Sequence, residues 1–419
     1  MSVPREKVLV IGGGVIGVSS AYFLAEAGYD VTVVEKGTIG GACSHGNCGL
    51  VCPSHVLPLA EPGALRDAFR ALLNPGGAFR IRPRLDLNLW RWLWNFARRC
   101  THQRMLESGR AIQPLLASSL SLYQQLVRDQ SLECEWQKQG LLFVYRNAHA
   151  LDAYQPAADL LAEEFDEKPE KLVGDRLLER EPALSSGLAG AWYFEHDAHL
   201  RPDRLLASWH ALLEQRRVRI IENAVLESLD ASSGRVRAAV ASGQRLEADH
   251  FVVATGAWTP QLAQVLGVRI PIEPGKGYSF TTPVSPNGPR TPMIFPETHV
   301  AVTPMDTGLR IGSMMEFSGY DESLRVDRLR MLADGAAPFL RDPLPGPQKE
   351  QWFGWRPMTW DSTPVIGPCP GLENVHLAVG HNMLGISMAP ATGRLLAELV
   401  SGAEPHLDPS PYQAERLLN

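Results

Sequence analysis

Apolar runs closed by glycine recur along the chain, and each leads into a turn or a helical period. Val8 to Ile11 is a short apolar strand running into glycines, followed by a helix from about Val15 to Ala27 and a second strand from Asp30 to Val34. The same type of signal returns much later. "VRIIENAVLESL" reads as a strand, and "GRVRAAVASGQRLEADHFVVATGAW" as a hairpin followed by a buried strand ending at Thr255-Gly256. "NVHLAVGHNMLGISMAPATGRLLAELVSG" reads as a strand from Val375 to Val379, a loop, and a closing helix that starts near Ser387. The segments between differ in character. An Arg- and Trp-rich helical region runs from Arg80 to Gln130, then come a strand "GLLFVYR", helices near 150 to 180, and alternating β patterns between Ile272 and Gly312. This distribution predicts a discontinuous nucleotide-binding domain with a second domain, antiparallel sheet plus helices, threaded through it.

The first strand–helix junction carries the chemistry. Gly12, Gly14 and Gly17 stand at the spacing that turns a strand into a helix and lets backbone approach a pyrophosphate. The helix presents free N–H groups and its positive dipole end to the phosphates. Glu35, 18 residues past Gly17, ends the second strand where an acid can accept ribose hydroxyls. Three glycines at the turn, with Glu26 and Asp30 beyond, argue against a signal peptide or membrane span, and no other unbroken apolar run is long enough to cross a bilayer.

Composition narrows the class. With 419 residues, 45% of them hydrophobic, the chain can build two sizeable cores. A net charge of -6 gives no general reason to bind nucleic acid. Six scattered cysteines lack the density of a disulfide scaffold, so a reducing cytoplasm is the expected compartment.

These residues resemble the FAD-dependent oxidoreductases of the D-amino-acid oxidase superfamily, most closely the bacterial D-amino-acid dehydrogenases of the small-chain type. The resemblance covers nearly the whole chain and rests on the opening glycine segment, "SHGNCGLVCP", "EPGKGYSFT", "GWRPMTWDSTPVIG" and "GHNMLGISMAPATGRLLAELVSG". It implies an α/β plus α+β fold: a discontinuous Rossmann-type FAD-binding domain (1–85, 196–265, 357–419) with an inserted substrate domain (86–195, 266–356). FAD, rather than NAD, is the implied cofactor. The contacts carried over are Gly12, Gly14, Val15, Ile16 and Gly17, then Glu35 and Lys36, and Ser44, His45, Asn47, Cys48, Gly49 and Leu50 along the flavin. Further along they are Val225, Thr255, Gly256 and Trp258, and finally Gly380, Asn382, Met383, Leu384, Gly385 and Ile386.

Within these segments Arg356 is the natural anchor for a substrate carboxylate, because a guanidinium offers two parallel donors and Pro357 and Pro364 stiffen the backbone. A surface or phosphate-contacting arginine is the bland alternative, and the resemblance favours the substrate role. His381 opens a loop whose following helix aims its dipole at the pyrimidine end of the flavin; as a strand-to-helix turn alone, the loop would make His381 structural. Tyr278 is a candidate substrate contact, with half-buried support as its alternative. "GGACSHGNCGLVCPSH" suggests zinc, but Cys43, Cys48 and Cys52 miss the C-x-x-C spacing, so no metal is expected. His45 and Cys48 fall where the similar dehydrogenases have small residues, which leaves covalent FAD open; noncovalent binding is the expectation.

The implied reaction is oxidation of the Cα–N bond of a small amino acid, with hydride passing from Cα to flavin N5 and electrons going on to a quinone or respiratory acceptor. The D configuration is implied by resemblance only. A glycine- or sarcosine-type oxidase using oxygen, a D-proline or hydroxyproline dehydrogenase, and a non-catalytic flavin-binding protein are the alternatives. "LNLWRWLWNFARR", 87–99, adds a last feature. Its apolar residues Leu87, Leu89, Trp90, Trp92, Leu93, Trp94, Phe96 and Ala97 span an arc of roughly 220°, wider than one buried stripe needs. Three uses stand side by side: burial between the domains, peripheral contact with the inner membrane face through tryptophan and arginine, or a partner subunit.

Overall fold

Strand Lys7–Ile11 is buried at every position after Lys7 and pairs in parallel with Asp30–Val34 on one side and His250–Val253 on the other. A computed structural model describes residues 5–64, 66, 77–342 and 344–418, and in it this strand lies inside a six-stranded sheet. The order across that sheet is Val365–Cys369, Leu372–Val379, His250–Val253, Lys7–Ile11, Asp30–Val34 and Arg219–Ile221. The edge strand Val365–Cys369 is antiparallel, and the other pairings are parallel. Three widely separated stretches of sequence therefore build one sheet, as the recurring glycine-bounded runs predict. Helices Val15–Glu26 and Gly385–Ser401 pack on each other, Ser19 Oγ donating to the Ala389 carbonyl at 2.8 Å. A Cβ on Gly393 would lie 2.6 Å from Ser19 Oγ, so the two helices meet at glycine distance.

"VRIIENAVLESL" is two strands, not one. Arg219–Ile221 joins the six-stranded sheet, Asn223 takes a left-handed φ of 56°, and Leu226–Ser232 begins a three-stranded antiparallel unit with Arg235–Ala241 and Gln244–Glu247. A left-handed residue redirects the chain, and a smooth apolar pattern hides it.

The second sheet has nine strands, with Glu273–Thr282 between Lys349–Met358 and Gly308–Phe317. Every residue of Glu273–Thr282 is buried, although Glu273, Lys276, Ser279, Thr281 and Thr282 are polar or charged and two further positions are glycine. Two elements cross the expected domain limits. Phe79–Ile81, placed by the boundary at 85 with the nucleotide domain, pairs with Met315–Phe317 of the nine-stranded sheet. Helix His102–Asp129, expected in the inserted domain, packs on Gly385–Ser401: Tyr123 donates to the Ile386 carbonyl at 2.8 Å, and Ser119 Oγ accepts from Ala391 N at 3.0 Å. Its apolar face is continuous with the core of the nucleotide sheet, and burial decides the assignment.

Helix Leu87–Arg99, capped by the Asp86 carboxylate, divides its wide apolar arc. Leu89, Trp92 and Phe96 are buried, and Trp92 donates its indole N–H to the Met358 carbonyl at 3.1 Å. Trp90 and Trp94 are 45% and 66% exposed, and Leu87 is more exposed still. Burial thus accounts for one side of the arc only.

Candidate active site

The glycine turn is dictated by sterics. Gly12 has φ of +115°, and a Cβ there would lie 2.5 Å from the Ala254 carbonyl oxygen; on Gly17 it would lie 1.8 Å from that of Gly12. Gly14 is different. A Cβ on it would meet nothing nearer than Ser44 Oγ at 3.7 Å, so the space beside Gly14 is open. That space opens into a solvent-connected cleft whose wall also includes Glu35, Lys36, Trp258, Arg356 and His381. Val15 N, the first helical N–H, donates to Ser44 Oγ at 3.1 Å. Glu35 is held at the end of its strand by N–H donors from Gly13 at 2.6 Å and Gly37 at 2.9 Å. Lys36 places its ammonium 3.4 Å from the centre of the Trp258 ring. Burial lowers the Lys36 pKa against the opposing pull of Glu35.

This cavity is a fit for a dinucleotide. One end has the acid, the lysine and the apolar walls of Val225 and Leu226; the middle has the Gly14 space at a helix N-terminus; the far end reaches Arg356, His381 and the start of a second helix at Gly385. Most of the sequence-predicted contacts line it: Gly12, Gly14, Val15, Ile16, Glu35 and Lys36; Ser44 and Asn47; Val225, Thr255, Gly256 and Trp258; Asn382, Met383, Gly385 and Ile386. Gly17, His45, Cys48, Gly49, Leu50, Gly380 and Leu384 are not on its wall. Gly17 serves helix–strand contact, and Gly49 takes φ of +75° against the Leu200 carbonyl. His45 offers its carbonyl to Arg310 at 3.0 Å, and Cys48 Sγ would be 2.7 Å from a Cβ on Gly312. Leu50 pairs with His199, Gly380 makes a left-handed turn, and Leu384 closes that turn with its N–H on the His381 carbonyl at 3.0 Å.

Tyr278 takes the position of its alternative, buried support. Its hydroxyl donates to Glu316 Oε2 at 2.9 Å inside the nine-stranded sheet, away from the cavity wall. The strand that carries it, Glu273–Thr282, is buried along its whole length.

Arg356 does reach the cavity. Its Nη1 donates to the Met314 carbonyl at 2.6 Å and Nη2 lies 3.5 Å from the Ser313 carbonyl; no carboxylate pairs with it among the described residues. Ser313 and Met314 have φ of 136° and 63°, unusual for residues with side chains, so a strained bulge turns both carbonyls toward the guanidinium. Burial lowers the Arg356 pKa, but an arginine remains charged. A half-buried cation satisfied on one side by neutral carbonyls is an anion site on the other. Beside it, Cys43 donates its thiol to the Trp355 carbonyl at 2.7 Å, and burial pushes that thiol up to about 11. His381 is buried with Nε2 3.0 Å from Thr392 Oγ1, and burial pushes its pKa down to about 3, so the ring is neutral. Asn382 fixes the loop by accepting from Thr359 N at 2.9 Å and donating to the Gly380 carbonyl at 2.8 Å.

Sequence reasoning missed several wall residues, among them Cys43, Gln261 and Pro357. Cys43 and Pro357 directly adjoin nominated residues, and that adjacency was the available signal. It also missed the clamp behind the wall. Arg310, fully buried, donates to the carbonyls of His45 at 3.0 Å and Asn47 at 3.2 Å, and to Glu350 Oε2 at 2.8 Å. Against the burial that would raise it, the Thr281 hydroxyl and the Arg201 and Arg310 guanidiniums hold the Glu350 carboxyl down at about 2. The segment Ser44–Asn47 is thereby tied to the nine-stranded sheet.

Residues 7–399 match the model of a family described as FAD dependent oxidoreductase. The chain is 33% identical to a D-amino acid dehydrogenase of Rhodopseudomonas palustris (strain HaA2) over 96% of each chain. It is 34% identical to a D-amino acid dehydrogenase of Bradyrhizobium diazoefficiens over 98% of each. Among solved structures, glycine oxidase from Geobacillus kaustophilus superposes with a TM-score of 0.78 over 100% of both chains at 22% identity, which is a likeness of fold. L-proline dehydrogenase from P. horikoshii gives 0.73 at 20% identity over 99% of this chain and 98% of that one.

Proposed function

We propose, since the chain belongs to the family of FAD dependent oxidoreductases, that it oxidises the Cα–N bond of a small D-amino acid and delivers the electrons to an acceptor other than oxygen. The observation that carries the reading is Arg356, a guanidinium at the far end of the cofactor cavity with carbonyls on one side and no carboxylate of its own. FAD, when bound, supplies the two-electron acceptor for a hydride from Cα. The chain's own part is placement. Arg356 takes the substrate carboxylate and thereby orients Cα, while the apolar walls exclude water. Glu35 is the one acid among the described wall residues, and it sits at the glycine turn with two N–H donors on it. Neutral His381 is a hydrogen-bonding group, not a cation, at working pH. Neither is a base for Cα, in keeping with hydride transfer from a substrate whose amine has lost its proton.

The exposed side of Leu87–Arg99 supports a finer part of the same reading. Trp90 and Trp94 face outward with Arg91 and Arg98, and Leu85, Leu87 and Arg82 continue the surface. Indole and arginine together suit an anionic membrane interface, where a quinone would serve as acceptor. Among the described residues no helix is long and apolar enough to cross a membrane, so any contact would be peripheral.

The deciding experiment is anaerobic mixing with a panel of D-amino acids, hydroxyprolines and N-methyl amino acids, followed by the visible flavin band. Bleaching by D-amino acids, with little peroxide formed in air, supports the proposal. Bleaching only by glycine or sarcosine, with stoichiometric peroxide, would move the chain to the oxidases.

A further inference from the structure

Cys52, His55 and Asp197 each offer a ligand atom, and these atoms lie within 4.8 Å of one another on the far side of the cofactor-lining segment. The fold brings them together in two steps. Strand Leu50–Val51 pairs with Ala198–His199, which sets Cys52 beside Asp197, and the turn Cys52-Pro53-Ser54-His55 carries the imidazole back over them. Cys52 and Asp197 are each 1% exposed. His55 Nδ1 is sequestered without a hydrogen-bond partner, and the ring lies 5.7 Å from that of Phe143. Asp197 accepts from Ser54 N at 3.2 Å and Ser54 Oγ at 2.6 Å, and no cationic side chain pairs with it among the described residues. A buried carboxyl, a buried thiol within hydrogen-bonding reach of it and an orphaned imidazole nitrogen gather in one place with no cationic side chain among the described residues to pair with the carboxyl.

We infer that Cys52, His55 and Asp197 form a zinc site. The S, N and O donor set suits zinc over magnesium or calcium, which take oxygen ligands, and C-x-x-H is a chelating spacing. Tetrahedral zinc with bonds of about 2.0–2.3 Å needs ligand atoms about 3.3–3.8 Å apart, so the three groups close by about 1 Å when the ion enters. Binding deprotonates the Cys52 thiol and releases its proton to solvent, leaving water in the fourth position. Spacing argued against zinc on Cys43, Cys48 and Cys52; the fold instead recruits a histidine three residues on and an aspartate 142 residues beyond it. The position suggests a structural use. Cys52 N approaches Ser387 Oγ at 3.4 Å, and Ser387 Oγ donates to the Leu50 carbonyl at 2.9 Å. Zinc would pin the segment after Ser44–Asn47 close to the first turn of the helix that lines the cavity.

The test uses untagged holoenzyme with its FAD, stripped by chelator and then equilibrated with zinc or cobalt(II). Wild type is expected to take up stoichiometric zinc with a rise in Tm. Its cobalt form should show the d–d bands of a tetrahedral thiolate site, at longer wavelength than oxidised flavin absorbs. Cys52→Ser and His55→Ala should each weaken zinc binding by at least about tenfold while keeping the flavin spectrum. Substoichiometric uptake by wild type, octahedral cobalt bands, or zinc affinity unchanged in Cys52→Ser would overturn the site. If Cys52→Ser fails to fold, the wild-type cobalt spectrum decides. Metal content and spectra are read without turnover, so they stand or fall separately from the proposed reaction.

Discussion

Gly277→Ala tests the proposed substrate anchor, Arg356, without replacing it. Gly277 lies in strand Glu273–Thr282, opposite Gly354 and two positions along the same face from the Gly275–Arg356 pair. A Cβ there would fall 2.3 Å from Arg356 Nη1 and 2.6 Å from both Cζ and Nη2. Gly277 carries no left-handed φ, so alanine suits the backbone and the whole lesion is the collision with the guanidinium. Ordinary contact begins at 3.4 Å, so Nη1 must retreat by 3.4 − 2.3 = 1.1 Å. That retreat costs the 2.6 Å bond to the Met314 carbonyl and rotates the fork away from the carboxylate. A misplacement of about 1 Å at a positioning group costs roughly 10²-fold in rate, which corresponds to about 2.7 kcal/mol. The loss should fall on KM more than on kcat, because the carboxylate contact exists in both ground and transition states. The assay is steady-state kinetics with a D-amino acid and an artificial acceptor, alongside FAD content and Tm. The companion is Gly277→Ala in an Arg356→Met background, where alanine meets no guanidinium and should cost nothing further. Unchanged kcat/KM in the single variant, or the same fold-loss in both backgrounds, would refute the argument.

Arg356→Lys should keep FAD and raise KM by more than tenfold (~1.4 kcal/mol), because a point ammonium cannot reproduce two parallel donors; a panel of substrates all showing wild-type KM would remove Arg356 from the site. Acid should loosen the clamp on Ser44–Asn47. Glu350 titrates at about 2 in the fold against 4.5 unfolded, so its stabilisation is complete above about 4.5 and is lost as pH falls toward 2. Denaturation midpoints followed from pH 6 down to pH 3 should therefore fall more steeply for wild type than for Glu350→Gln, and parallel curves would contradict the clamp. Trp90→Ala with Trp94→Ala should abolish salt-sensitive flotation on anionic liposomes, whereas wild-type protein that never floats, or a variant that floats equally, would take the membrane contact off this helix.

The glycine turn was legible because part of its cause is local. Gly17 is required by the Gly12 carbonyl five residues before it, whereas Gly12 is required by the Ala254 carbonyl of a strand end far along the chain, which the sequence spacing alone does not show. Arg356 was legible as a residue but not as a geometry. Its guanidinium is shaped by Gly277 and by the Ser313–Met314 bulge, from strands far away in sequence, and no spacing rule links those positions. Helix Leu87–Arg99 shows the limit of periodicity itself. The period predicts how wide the apolar arc is, while the nine-stranded sheet decides which side it covers, and it covers Trp92 through Met358 and Phe317.

The placement of Tyr278 follows from how a central strand handles polar groups. "EPGKGYSFTT" mixes charged, hydroxyl and apolar residues along one strand. In the fold both faces are covered, and nearly every polar side chain has a structural partner. Lys276 Nζ donates to the carbonyls of Asp321 and Ser323 at 2.6 Å each, Tyr278 to Glu316, Ser279 to the Gly46 carbonyl at 2.7 Å, and Thr281 to Glu350 at 2.9 Å. Burying such groups is tolerable because nearly all are satisfied, Thr282 Oγ1 being the exception, and the partners are largely loop carbonyls and strand carboxylates. The same bonds do the positioning. Ser279 holds Gly46, two residues from Ser44 and next to Asn47 on the cavity wall, and Thr281 holds the carboxylate that orients Arg310. Polarity on this strand thus marks where cofactor-lining loops are fastened, one layer behind the cavity wall, whereas Arg356 lies on that wall with neutral carbonyls as its partners and no carboxylate among the described residues.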